Sequence, residues 1–364
     1  MKKIFTLVAV LLMFINYQDS FSQNYKGTLS ELFFGRQPGA RAEAMGRGFV
    51  SVTGDALSYF YNPAGIASLQ GLNLSGSFTG KYYLLDSSKY NFFSASYKIM
   101  DYGTAGFSRD YFTYGHEVVT TDEFGNITGK YEPYVTNYRL TLSSEVIKEL
   151  FVGVNLNLLK NNTGSEFSVG NERSDNGDVF YFDLGVIKSF NIKSGKLNHL
   201  INAGSSLINV NSASFSSADA SQKDKLPVIF RIGASYDLSI DDKNIISKLN
   251  SYNFLMNLEY MDLFNSKYYG GFHSGLEFTF LEILSLRGGY YTQKITEECS
   301  NCKDKISEFT YGLGLNIPVR QLSENEIPLE VRFDYVNLKQ PTFINNFDDW
   351  KNFQTFTITA GWIF

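Results

Sequence analysis

The chain has 364 residues, of which 43% are hydrophobic and 19% charged, so it carries enough apolar material to exclude a chain that is disordered throughout. Its 32 Lys and Arg stand against 37 Asp and Glu, a formal net charge of −5 with no basic run, which excludes the electrostatic footprint of a nucleic-acid binder. No stretch beyond the first residues reaches the roughly 18 consecutive apolar residues of a spanning helix, so a helical membrane protein is excluded as well.

In chain order, Met1-Lys2-Lys3 supplies a positive start, Ile4 to Ile15 is apolar apart from Thr6, and Ser20-Phe21-Ser22 has the small-x-small form of a processing site. Residues 1–22 therefore read as an export signal, and their loss takes the net charge from −5 to −6. Residues 23–71 read as a plug or hatch. Ala40, Ala42, Ala44, Gly46 and Gly48 are small enough to pack in a confined lumen, and Asn62-Pro63, followed by Ala64-Gly65, sets a turn without a backbone donor at the proline.

From residue 72 to 364 the pattern is period two. Phe356, Ile358, Ala360, Trp362 and Phe364 share one parity and Thr355, Thr357, Thr359 and Gly361 the other. The same alternation recurs in Val152, Val154, Leu156 and Leu158, and in Leu329, Val331, Phe333 and Tyr335. Strands are expected over 72–82, 89–99, 104–114, 134–146, 151–161, 178–188, 199–209, 227–238, 252–262, 269–280, 283–293, 308–317, 327–338 and 353–364. Most are longer than the five or six residues usual in soluble proteins and suit the roughly 9–11 of a spanning strand. The connections at 100–103, 147–150 and around Glu282 are short, whereas 115–133, 162–177, 210–226 and 339–352 are long and polar, and 239–251 is longer than the rule prefers. That alternation, an even strand count and polar charges on one parity point to an all-β, transmembrane antiparallel barrel of about fourteen strands. Tyr82, Tyr111, Tyr134, Tyr252, Tyr260 and Tyr335, near strand ends, would supply interfacial girdles. The terminal Trp362 and Phe364 resemble the aromatic ends that barrel-assembly machines read.

The charged parity assigns Lys81, Lys98, Arg139, Glu145, Asp183, Arg231, Asp237, Glu259, Glu277, Arg287, Glu330, Arg332 and Asp334 to the lumen. Isolated charges in confined space are costly, so mutual pairing, and pairing with Arg41, Glu43 and Arg47, is favoured over a selective ion path. Cys299 and Cys302 sit in an expected outer loop and read as a local disulfide before a metal site, since no further ligands stand nearby. His116, His199 and His273 fall on separate elements. No catalytic, cofactor or metal set stands out. Gly270-Gly271 and Gly288-Gly289 read as relief of crowding in curved strands.

The run from Ala40 to Ala67 resembles the N-terminal signature of the PorV/PorQ family of Bacteroidota outer-membrane proteins, which is similar in fold to the fatty-acid transporter barrels; Asn62-Pro63-Ala64 resembles the hatch motif of those transporters. Gly46-Arg47-Gly48 departs from the paired glycines that often follow the Met in the family. The resemblance implies a non-enzymatic outer-membrane protein that works beside outer-membrane lipid with the type IX translocon or with the C-terminal domains of secreted cargo. The alternative is a passive channel for hydrophobic small molecules.

Overall fold

The computed structural model describes residues 37–80, 87–113, 115, 118–121, 124–162, 168–169, 172–173, 177–215, 224–240, 249–264, 268–295, 303–323, 327–340 and 352–363. Among them fourteen long strands form one closed antiparallel barrel. These are β1 (Leu72–Gly80), β2 (Lys89–Ile99), β3 (Gly103–Thr113), β4 (Tyr134–Ile147), β5 (Leu150–Asn162), β6 (Gly177–Ser194) and β7 (Leu197–Ile208). The circuit continues through β8 (Val228–Ile240), β9 (Tyr252–Phe264), β10 (Gly271–Phe280), β11 (Leu284–Ile295), β12 (Lys305–Pro318), β13 (Leu329–Leu338) and β14 (Phe353–Trp362). Each strand pairs with the next, and β1 closes the ring on β14 with Leu72 opposite Trp362 and Gly80 opposite Gln354. Closure leaves no edge of unpaired amides, which hydrocarbon could not solvate.

Every expected strand is present. The sixth runs on to Ser194 because its alternation continues past Lys188. The tenth begins only at Gly271, since Gly270 takes a left-handed φ of 54° and breaks the ladder. The tight connections behave as their lengths require: Leu281 and Glu282 both adopt left-handed φ, 52° and 54°, to reverse the chain between β10 and β11.

Parity decides which side chains meet lipid. On β1, Leu72, Leu74 and Phe78 face out while Asn73, Ser75, Ser77 and Thr79 are buried inside. The same outward band contains Leu140, Leu258, Leu286, Leu313 and Ile358, all exposed. Among the described residues no helix is long and apolar enough to cross a membrane. Rings gather near the strand ends: Tyr111 stacks on Tyr134 (5.6 Å) and Tyr260 lies against Phe272 (5.2 Å), while Tyr252 sits between Phe278 and Phe280. Trp362 faces out with them, whereas Phe364 and Tyr82 lie outside the described residues.

Leu258 is midway along β9 and 57% exposed on the lipid side. Leu258→Arg is expected to destabilise the folded barrel by about 2–4 kcal/mol, whereas Leu258→Met changes it by less than about 1.5 kcal/mol. Urea titration of the protein refolded into lipid vesicles measures both.

Candidate functional site

Residues 37–71 lie within the barrel, almost all of them buried. Their course begins with a short helix, α1 (Ala40–Ala44), favoured by its three alanines. Side chains of the wall serve its ends. Gly39 N–H donates to Ser77 Oγ and Ala40 N–H to Thr357 Oγ1, satisfying amides that a helix start leaves without partners. At the other end Thr310 Oγ1 donates to Ala44 O and accepts from Gly46 N–H. Gly46, at φ 67°, then turns the chain so that Arg47 N–H returns to Ala42 O at 2.9 Å, the closing bond of a Schellman cap.

Beyond this turn the segment circles the lumen. Phe49 and Val50 N–H both donate to Glu259 of β9, and Ser235 of β8 donates to Ser51 O. Asn155 of β5 donates to Tyr59 O, Ser206 of β7 to Tyr61 O, Ser94 of β2 to Ala56 O and Ser143 of β4 to Ala64 O. Tyr59 Oη donates to Phe107 O of β3. Asn62 caps the 3-10 turn Pro63–Ile66 by accepting from Ala64 N–H, and its amide donates to Val50 O and to the carbonyls of Val186 on β6 and Ser205 on β7. Arg47 lies over the Tyr291 ring of β11 at 4.5 Å. With Glu43 accepting from Thr355 of β14, and the ion pairs below, the segment touches every strand.

Backbone can come this close because the wall is bare where the segment passes. A Cβ on inward-facing Gly153 would collide with Pro63, one on Gly289 with Gly46, and one on Gly312 would stand 2.7 Å from Ala44 Cβ. Gly289 thus gives room to a second backbone, which corrects the expectation that the Gly288-Gly289 pair relieves strand curvature.

The charges close into a ring. Arg41 grips both carboxylate oxygens of Glu277 (2.9 and 2.6 Å) and reaches Asp55 (2.9 Å). Arg332 joins Asp55 (2.6 Å) to Asp334 (2.9 Å), and Arg287 joins Asp334 (2.7 Å) to Glu277. Three guanidinium groups and three carboxylates alternate, two members from the inner segment and four from β10, β11 and β13. Gly314 of the intervening β12 keeps the path open, since a Cβ there would stand 2.5 Å from the Arg287 guanidinium. Burial alone would raise the Asp55 carboxyl, but Arg332, Arg41 and the Leu57 amide outweigh it and hold the group well below the ordinary carboxylate range. A second pair, Arg231 with Glu259 (2.6 Å), fixes the carboxylate that holds Phe49 and Val50. A third network links Asp110 to Arg139 (3.2 Å), and Asn157 joins Arg139 to Asp183.

Inward polarity changes along the barrel. On β2 to β9 most inward residues near the long connections are apolar: Tyr90, Phe92, Phe112, Val135, Leu159, Val179, Tyr181, Ile208, Ile229, Met261 and Leu263 pack with Phe49, Tyr59, Phe60, Tyr61 and Ile66 in one buried cluster, with Asp110 opposite Phe92 and Asn137 opposite Leu159 as polar members of the same level. Toward the tight turns most inward residues are Ser, Thr, Asn, Gly or charged groups, with Ile187 and Leu255 among the exceptions.

Arg41, Glu43, Gly46, Arg47, Gly48, Asn62, Pro63, Ala64 and Gly65 all lie along this inner segment, and Arg41 pairs with the lumenal Glu277. Glu145 departs from expectation: it lies at the turn rim, exposed, where it accepts from Glu149 N–H. Lys81, His116, Cys299, Cys302 and residues 1–36 lie outside the described residues. His273 contacts Gly46 O and His199 contacts Tyr236, two separate places. Among the described residues no group of three or more His, Cys, Asp or Glu could hold a metal ion. Asp55, Thr310, Asn155, Gly153 and Gly312 are members that sequence reasoning did not single out.

No protein-family model matches the sequence, and no curated protein does. Similar solved structures include the CymD monoaromatic hydrocarbon channel, at 12% identity and a TM-score of 0.42 over 90% of this chain and 98% of that one. The Ralstonia pickettii toluene transporter TbuX matches at 10% identity and a TM-score of 0.43, over 90% and 99% of the two chains. The Pseudomonas putida toluene transporter TodX matches at 12% identity and a TM-score of 0.39, over 89% and 96%. At such values the likeness carries no substrate or partner over to this chain.

Arg41 and Arg47 make trypsin cleavage a direct report of seating, because both are shielded while the segment is in place. Gly289→Leu is expected to unseat it and open both sites to trypsin, with the barrel still folded by gel mobility. Asp55 is depressed in the folded state, so its stabilising contribution is present above its unfolded pKa and lost as pH falls through the folded value. Read in acid with pepsin, which cuts beside rings such as Phe49, Tyr59 and Phe60, protection is therefore expected to persist down to about pH 4 and to fail in stronger acid. Asp55→Asn should weaken protection at neutral pH and flatten that acid response.

Proposed function

We propose that this chain is a bacterial outer-membrane barrel offering a passive, gated route for small apolar or amphipathic molecules, with residues 37–71 as its plug and residues 1–22 as a removed export signal. The observation that carries this reading is the apolar inner face near the long connections, continuous with the rings of the inner segment. A water-filled porin lines its lumen with polar groups. Phe92, Leu159, Val179 and Tyr181 are packed against the rings of the inner segment, so displacement of those rings would offer an apolar solute a surface to partition onto. Passage needs no bond chemistry, so the residues act by partition and by steric gating, and the reading is non-enzymatic.

The resemblance to the PorV/PorQ family supports a second reading, a partner of the type IX translocon or of cargo C-terminal domains. Its supporting observation is different: a segment bonded to every strand makes a stiff, filled body suited to holding a binding rim. The transport reading takes precedence because such a rim gives no reason for an apolar inner face.

Uptake of a labelled medium-chain fatty acid and of a labelled aromatic hydrocarbon by intact cells, with the protein present or deleted, tests the route. Leu159→Asp places a charge in the apolar face and is expected to lower uptake about tenfold while the folded barrel band persists on gels. Unchanged uptake after deletion, together with recovery of a translocon or cargo on affinity purification from solubilised membranes, would replace the first reading with the second.

A further inference from the structure

The outer face of the barrel is girdled by rings near the long connections, as the pairs Tyr111 with Tyr134, Tyr260 with Phe272 and Tyr290 with Phe309 illustrate. Among the described residues, the seam where β14 meets β1 and β2 carries no ring in the outward row nearest the long connections. Two outward rows cross the seam: Phe356, Phe78 and Asn91 form one, and Gln354, Gly80 and Lys89, nearer the long connections, form the other. Gly80 has no side chain, and a Cβ built there would meet no described atom within 4 Å. The result is a notch of about 440 Å³ whose floor is the Gly80 backbone. Its lower lip is the lipid-facing rings Phe78 and Phe356, 53% and 50% exposed, with the Asn91 amide beside them, and its upper wall carries the Lys89 ammonium and the Gln354 amide.

We infer that this notch is a binding site for a phosphate-bearing lipid of the surrounding leaflet. Its polarity runs in the order a lipid presents. The acyl chains lie along Phe78 and Phe356, the glycerol or sugar region fills the space above Gly80, and the phosphate meets Lys89. Charge complementarity identifies the headgroup: among the described residues no carboxylate pairs with Lys89, while Asn91 and Gln354 supply further N–H donors to phosphate oxygens. A zwitterionic lipid would bring its own cation beside the ammonium, so the site favours net-anionic lipids. A basic side chain near a lipid surface favours anionic headgroups by about fivefold. The site is independent of the lumen, and this inference does not rest on the transport reading.

Native mass spectrometry of the detergent-solubilised full chain, offered equal amounts of phosphatidylglycerol and phosphatidylcholine, tests it. The expected result is about a fivefold excess of the phosphatidylglycerol adduct. That excess should disappear in Lys89→Glu and in Gly80→Phe, which fills the notch, and should persist in Lys193→Glu, a change at an exposed lysine on β6 far along the chain from the seam. Heat-modifiable gel mobility confirms that each variant is a folded barrel. Glycerol phosphate alone should leave no adduct. Equal adducts on the unaltered protein, an excess retained in either notch variant, its loss in Lys193→Glu, or an adduct of glycerol phosphate would each overturn the assignment.

Discussion

The interior of this barrel depends on how closely a second backbone can approach the wall. A chain passing through a lumen has no ladder of its own, and every amide and carbonyl it leaves without a partner costs about 1–3 kcal/mol. The wall answers with short hydroxyl and amide side chains, such as Thr357 at Ala40, Thr310 at Ala44 and Gly46, and Asn155 at Tyr59. Such short groups reach only if the backbones nearly touch, and inward glycines such as Gly153 and Gly289 permit that contact. Close approach thus makes polar satisfaction possible, and polar satisfaction keeps the segment in one place.

The ion ring follows the same logic. A buried carboxylate between two guanidinium groups is tolerable because each oxygen has a partner, and Asp55, Glu277 and Asp334 are all so placed. The ring sits among polar groups, while the apolar cluster lies toward the long connections. The two halves of the lumen therefore present different solvents to anything that enters, with the inner segment contributing to both.

Much of the wall was legible in the sequence because the dyad period is local: Val152 to Leu158 announce their outward face without reference to any distant residue. The charges of Arg287, Arg332 and Asp334 could be placed inside by parity alone. What parity could not supply was partnership. Arg41 and Glu277 are 236 positions apart, and Ala40 and Thr357 are 317 apart, so no window contains both members. Asp55 lies within the run from Ala40 to Ala67, yet only the fold shows it between Arg41 and Arg332. A local signal for the seat did exist in glycines such as Gly153, Gly289 and Gly312, each at an inward position where a sheet facing open water would carry a polar side chain. Curvature offers a competing reason for glycine in a strand, and nothing in the sequence separates the two.

The inner segment also has an electrical property that follows from its composition. Between residues 37 and 71 the charged side chains are Arg41, Glu43, Arg47 and Asp55, which cancel, and the four wall members of the ring cancel among themselves. Withdrawal of the segment would strand no net charge on either side of the parting surface. A Donnan potential across the envelope, which does work only on net charge moved through it, would neither expel nor retain the segment, leaving its displacement to chemical contact with whatever arrives.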